Sequence, residues 1–209
     1  MNAAQAIAGL QDLRRPVVAT RDAAALWGLS VDAANKALRR LAGAGLVTPL
    51  RHGLWIVGKE VDPYLLADYL TAPYPSYVSL QSALYLHGLI SQIPHAIYLA
   101  SLDRTQRIRT AVGTFSVHRI APEIFGGFDL SSSGVKLATP EKAVVDFFYL
   151  SGTRSRLFAA LPEIELPSTF RFAEARTWMD RIPSRRLRTV VATKLGDLAA
   201  KARSRRKTG

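Results

Sequence analysis

Four histidines, two close carboxylate pairings and the absence of cysteine bound the chemistry open to this chain of 209 residues. His52, His87, His95 and His118 are too scattered to form a zinc pair, and no HExxH segment supplies a base beside a metal. Without cysteine there are no disulfides and no thiolate metal sites. Glu163 and Glu165 stand two apart in a segment that suits a loop or an edge strand. Glu141 and Asp146 share a helical segment but point in different directions, one to cap the helix and one to pair with a cation. His87, in "LYLHGL", reads as a helix-end residue bonded to backbone. No Walker loop, GxGxxG or GxSxG segment occurs, and "GGF" at 126–128 reads as a turn. The expectation is a protein that is not an enzyme, with no catalytic residues, no metal and no cofactor.

A different chemistry is concentrated in "NKALRRLAGAGLVTPLRHGLWIVG", residues 35–58. Lys36, Arg39 and Arg40 lie on one helical segment, and Arg51 and His52 lie on a turn just beyond it. Cations grouped in this way suit a polyanion. Residues 1–60 carry a net charge of +4, 61–182 are neutral, and 183–209 carry +8, so the excess sits at the two ends. A neutral middle between basic ends suggests a folded module flanked by surfaces for polyanions.

The elements that must position these groups can be read in order. Ala3–Leu13 has helical spacing (Ile7, Leu10, Leu13), and "PVVAT" is a short β-like run. Thr20 is placed to cap a helix over Arg21–Trp27, and Ser30 to cap the next, from Val31 to about Ala42. Val31, Ala34, Leu38 and Leu41 recur on one face, which leaves Asn35, Lys36, Arg39 and most of Arg40 away from the core. Gly43 and Gly45 end that helix, and "LVTPL" and "LWIV" form a hairpin about "RHG", where Gly53 permits a positive φ. Helix, strand, helix, tight turn, helix, hairpin is the order of a winged helix-turn-helix. In that architecture the third helix enters the major groove of double-stranded DNA and the hairpin tip reaches the adjacent backbone. The expected DNA-binding set is therefore Ser30, Asn35, Lys36, Arg39, Arg40, Arg51 and His52.

Beyond Gly58, "VDPYLLADYLTAPYPSY" reads as a stiff proline-rich connector with a short helix from Pro63 to Leu70. "SLQSALYLHGL" reads as a helix capped by Ser79 and closed by Gly88. "AIYLASL", "TFSVHRI" and "VKLA" are strand-like. "TPEKAVVDFFYL" opens a helix with Thr139 as N-cap, Pro140 at its first position and Glu141 against the dipole. The end reads as two helices broken at Pro183. The last has a stripe of Leu187, Val190, Val191, Leu195, Leu198 and Ala202, and its final basic residues are expected to fray. The fold class expected is α+β. Residues 1–58 form a winged helix-turn-helix, and 59–209 a mixed α/β domain ending in helices with a basic tail. A fragment starting near Val61 should hold its own core. With no signal-peptide pattern and no apolar run near 18 residues, the expected location is the cytoplasm.

"YVSLQSALYLHGLI" followed by a strand pair and "LATPEKAVVDFFYL" resembles the AbiEi-type antitoxins of bacterial abortive-infection toxin–antitoxin systems. The matching residues are Ser82, Ala83, Leu84, His87, Gly88 and Leu89, then Pro140, Glu141, Lys142, Ala143 and Asp146. With the N-terminal winged helix the resemblance spans almost the whole chain. It implies a repressor that binds inverted repeats in the promoter of its own operon. It also implies that the second domain counteracts a cognate nucleotidyltransferase-like toxin, directly or indirectly; no membrane partner is expected, because no apolar run is long enough to span one. The alternative from another class is a winged-helix regulator whose second domain senses a small molecule, in a pocket drawn from Tyr74, Tyr77, Tyr85, Tyr98, His87 and His118.

Overall fold

Helix α1 (Ala3–Asp12) begins at a reciprocal cap: Gln5 N–H donates to Asn2 Oδ1 at 2.8 Å, and Asn2 N–H to Gln5 Oε1 at 3.1 Å. The computed structural model describes residues 2–58, 60–153, 158 and 163–208. After α1 come β1 (Val17–Ala19), α2 (Thr20–Trp27), α3 (Val31–Gly43), β2 (Val47–Arg51) and β3 (Leu54–Val57). The three strands form an antiparallel sheet in the order β1-β3-β2. Gly28, at φ +64°, ends α2, and Ser30 caps α3 by accepting from Ala33 N–H at 3.2 Å.

Thr20 is not the cap of α2. It is the first helical residue, and Ala19, which precedes it, makes no side-chain cap. The Thr20 hydroxyl instead accepts from Trp55 Nε1 at 2.9 Å, so it joins α2 to the hairpin. Val31 also departs from expectation. It is 54 % exposed, and the buried face of α3 is Ala34, Ala37, Leu38 and Leu41. Standing at the first turn beside the exposed cap, Val31 has no element opposite to cover it.

The second part starts with a 3-10 turn (Pro63–Leu66) and α4 (Ala67–Thr71). It continues through β4 (Ser76–Val78), α5 (Leu80–Leu86), β5 (Ile97–Ser101), β6 (Gln106–Thr110) and β7 (Gly113–Arg119). A 3-10 turn (Pro122–Ile124), β8 (Phe128–Leu130), β9 (Lys136–Ala138), α6 (Pro140–Ser151), α7 (Phe172–Asp180) and α8 (Arg185–Thr208) complete it. The six strands lie in the order β6-β7-β5-β4-β9-β8. The β7–β5 and β4–β9 pairs are parallel and the others antiparallel. The α+β class holds. Strands β4, β6 and β8 were not anticipated, and α8 runs on to Thr208 through the segment expected to fray.

Strand alternation explains how the layers stack. In the small sheet Val18 and Trp55 face α1–α3, while Val17, Ile56 and Leu50 face away from them. In the large sheet Val78, Leu99, Phe115 and Val117 face the same second cluster. Tyr77, Tyr98, Ala100 and Ala138 turn to the other side, toward α5, α6 and α8. Leu66 and Leu70, both fully buried, sit in the cluster between the sheets. The proline-rich stretch is therefore a packed element and not a connector. Burying a leucine contributes about 1.5–3 kcal/mol, so these two and their neighbours join the two parts firmly.

Candidate nucleic-acid interface and a buried ionic centre

Helix α3 carries most of the expected DNA-binding residues. Lys36, Arg39 and Arg40 are exposed and Asn35 is half-buried, while Ser30, also exposed, is tied to the helix start as its cap. Among the described residues none of the ion pairs involves Lys36, Arg39 or Arg40, so their charges are not neutralised within the chain. The hairpin tip presents His52, exposed, beside Gly53 at φ +73°. Arg51 is differently engaged. Its Nη1 donates to the Leu70 carbonyl at 2.8 Å, which anchors the hairpin to α4 while the side chain remains exposed. The candidate residues thus fall into two groups: α3 with its cap, and the hairpin tip fastened to the second part.

The two segments that carry the family resemblance meet around a buried ion pair. Lys142 and Asp146, one helical turn apart on α6, are both 0 % exposed and bonded to each other. Asp146 Oδ2 also accepts from Tyr77 OH at 2.9 Å and from Ser79 Oγ at 2.8 Å. Lys142 Nζ donates to Tyr77 OH at 2.8 Å and lies between the rings of Tyr77 and Trp178, 5.3 and 5.2 Å from their centroids. Burial lowers the lysine's pKa, and the Asp146 charge acts against that fall. Burial, then the Asp146 charge, pushes the Tyr77 phenol well above its ordinary value. Ser79 serves this centre instead of capping α5. Gly127 makes the packing possible: at φ +70°, an added Cβ would stand 2.7 Å from the Trp178 ring and 2.9 Å from Lys142 Cγ. With both charges sealed from solvent, the arrangement pins β4, α5 and α6 together.

The remaining candidates disperse. His87 Nε2 donates to the Ala138 carbonyl at 2.7 Å, the backbone role expected of it, and links the two resemblance segments a second time. Glu141, in the first turn of α6, is buried and accepts from Arg171 N–H at 2.8 Å, so it ties α6 to the residue that precedes α7. Glu165 lies in irregular structure, its N–H donating to Leu89 O at 2.9 Å. Of the six residues expected to line a pocket, only Tyr98 and His118 share a cleft; Tyr77 is in the ionic centre and Tyr74 is exposed. No cluster of three or more potential metal ligands occurs among the described residues, and none of their helices is long and apolar enough to cross a membrane. On α8, Val191, Leu195 and Leu198 are buried, and Arg185, Arg186, Lys201 and Arg203 are exposed.

The expectation that one of Glu141 and Asp146 pairs with a cation is met by Asp146 with Lys142, but sequence reasoning missed that the pair is sealed and shared with Tyr77 and Ser79. The i, i+4 spacing of Lys142 and Asp146 was legible, but nothing in it told a solvated pair from a sealed one. Comparison with family models gives no match for this chain, and comparison with curated proteins gives none either.

Proposed function

We propose that the chain is a winged-helix repressor serving as the antitoxin of a bacterial toxin–antitoxin pair, working in the cytoplasm. It binds inverted repeats in its own promoter and counteracts a nucleotidyltransferase-like toxin. One observation carries the DNA-binding half. Helices α1–α3 with the β1-β3-β2 sheet follow the winged helix-turn-helix order, and α3 turns Lys36, Arg39 and Arg40 to solvent with no ion pair among the described residues. Ser30, Asn35 and Lys36, near the start of α3, are nearest the base edges, and Arg39 and Arg40 meet phosphates. His52 and the remaining donors of Arg51 reach the flanking backbone. The antitoxin half is supported by the resemblance, whose two segments pack on each other through Asp146–Ser79 and His87–Ala138. Residues 1–58 then recognise DNA, and 59–209 act on the toxin while holding the first part in place.

Full-length protein should bind the DNA fragment upstream of its own coding sequence, with affinity falling steeply as salt rises. A Lys36→Glu/Arg39→Glu/Arg40→Glu variant should lose that binding and keep its melting temperature. Co-expression with the neighbouring gene should relieve that gene's toxicity. Normal binding by the charge-reversed variant would remove α3 as the interface; absence of rescue would remove the antitoxin role.

A further inference from the structure

At the β6 end of the large sheet, a cleft of about 180 Å³ lies apart from both α3 and the ionic centre. Register places its chemistry. Arg107 stands opposite Ser116, and Ser116 opposite Tyr98, so the three form a row across β6, β7 and β5. His118, two residues on from Ser116, faces the same side. Ser116 Oγ and His118 Nε2 are 2.8 Å apart. Burial lowers the His118 pKa to about 4, so the ring is neutral near pH 7. When the serine hydroxyl donates to Nε2, the proton rests on Nδ1, which has no partner among the described residues. The Tyr98 ring lies nearly parallel to the His118 ring, at 11° and 6.0 Å between centroids. Arg107 is the one arginine in the lining and takes part in none of the ion pairs among the described residues. Asp103, which precedes β6, is already occupied, accepting from Gln106 Nε2 at 2.6 Å and Arg104 N–H at 2.7 Å.

We propose that this cleft binds a small planar organic monoanion, a ring carboxylate of about the size of benzoate. Its carboxylate meets Arg107 and His118 Nδ1–H, and its ring lies beside Tyr98. The size follows from the volume, since a cavity of roughly 150 Å³ holds benzene. The charge follows from an arginine with no acidic partner beside an unpaired N–H donor. One arginine among the described lining residues and this volume suit a small monoanion better than a nucleotide. The proposal goes beyond the antitoxin reading and does not depend on DNA binding.

Full-length protein is titrated with benzoate, benzamide and benzylamine, by calorimetry and by the His118 ring-proton signals. Benzoate should bind with a Kd on the order of 1 mM, benzamide at least about tenfold more weakly and benzylamine not at all. The His118 signals should shift only with benzoate. Arg107→Gln, on an exposed side chain, should weaken benzoate at least about tenfold without moving the melting temperature. Ser116→Ala should weaken it too, by releasing the tautomer. Equal affinity for benzoate and benzamide, full affinity in Arg107→Gln, or no benzoate binding at about 20 mM would each overturn the proposal.

Discussion

Arg51, at the tip of the hairpin, donates to the carbonyl of Leu70 at the end of α4, and this bond joins residues 1–58 to the part behind them. A cation that sequence assigned to DNA alone therefore has an internal partner. Arg51→Ala should cost about 0.5–1.5 kcal/mol of stability, the net range for an intramolecular hydrogen bond, since the side chain is exposed. Lys36→Ala and Arg39→Ala should leave stability unchanged. On DNA the order reverses: each α3 cation removed should flatten the log-affinity against log-salt slope by roughly 0.9, and Arg51→Ala by less. Urea melts beside salt titrations of promoter binding separate the two effects.

On the proposed DNA-binding reading, Val31 would meet thymine. It is apolar, exposed and next to the cap of α3, where recognition-helix residues approach base edges. Replacing thymine by uracil throughout the bound fragment removes every 5-methyl group. Wild type should lose affinity on the uracil fragment, and Val31→Ala should bind both fragments alike at the lower level. Equal binding of the two fragments by wild type would end this assignment and leave the DNA-binding reading intact.

Lys142 and Asp146 should be strongly interdependent. Removing either charge alone leaves the other sealed without a partner, which costs roughly 3–5 kcal/mol. Against a total stability of about 5–15 kcal/mol that is enough to unfold much of the protein. Lys142→Met with Asp146→Leu should recover most of the loss, because a buried pair can be replaced by apolar groups of similar volume. A double-mutant cycle in urea measures the coupling. Additive losses would show that the two charges act separately.

His118 should make the fold sensitive to acid. Its pKa is lowered by burial from 6.5 to about 4. Between those values the unfolded chain binds more protons than the folded one. Stability is therefore full above pH 6.5 and is lost as pH falls toward 4, by roughly 3 kcal/mol at most. Among the described residues the groups around the imidazole are Ser116, Tyr98, Phe158, His95 and Arg107, and none of these is a carboxylate that would oppose the shift. Urea midpoints measured from pH 7 to pH 4 should fall less in His118→Gln than in wild type.

Cutting the chain at residue 60 should unfold both pieces. Fragment 1–58 would expose Val17, Leu50 and Ile56, and fragment 61–209 would expose Leu66 and Leu70. At about 1.5–3 kcal/mol for each large side chain, either loss rivals the stability of a small domain. Calorimetry of the fragments decides this; a cooperative melt of 61–209 near that of the full chain would contradict it.

Local signals carried much of the fold. Caps such as Ser30 and Thr139, the proline opening α6 and the Gly53 turn announced themselves, because each satisfies backbone groups within a few residues. Strand β6 escaped because "QRIRT" alternates polar with apolar on a sheet edge, and β4 and β8 because three residues are too few to show a period. Thr20 and Ser79 read as caps, but each hydroxyl found a better partner 35 and 67 residues away. The α3 cations were legible because their exposure follows from helical period. The ionic centre and the His118 cleft were not, since both are assembled from distant strands and helices.

The cluster shared by the two sheets bears on how such chains can be inherited. Leu66 and Leu70 complete the underside of the small sheet, so a recombination that exchanges residues 1–58 for another module must bring a surface matching theirs. On the proposed DNA-binding reading, new specificity would be acquired by point changes on the exposed face of α3, where Lys36, Arg39 and Val31 can change without disturbing the seam. The lineage can drift in what it reads while its two halves descend together.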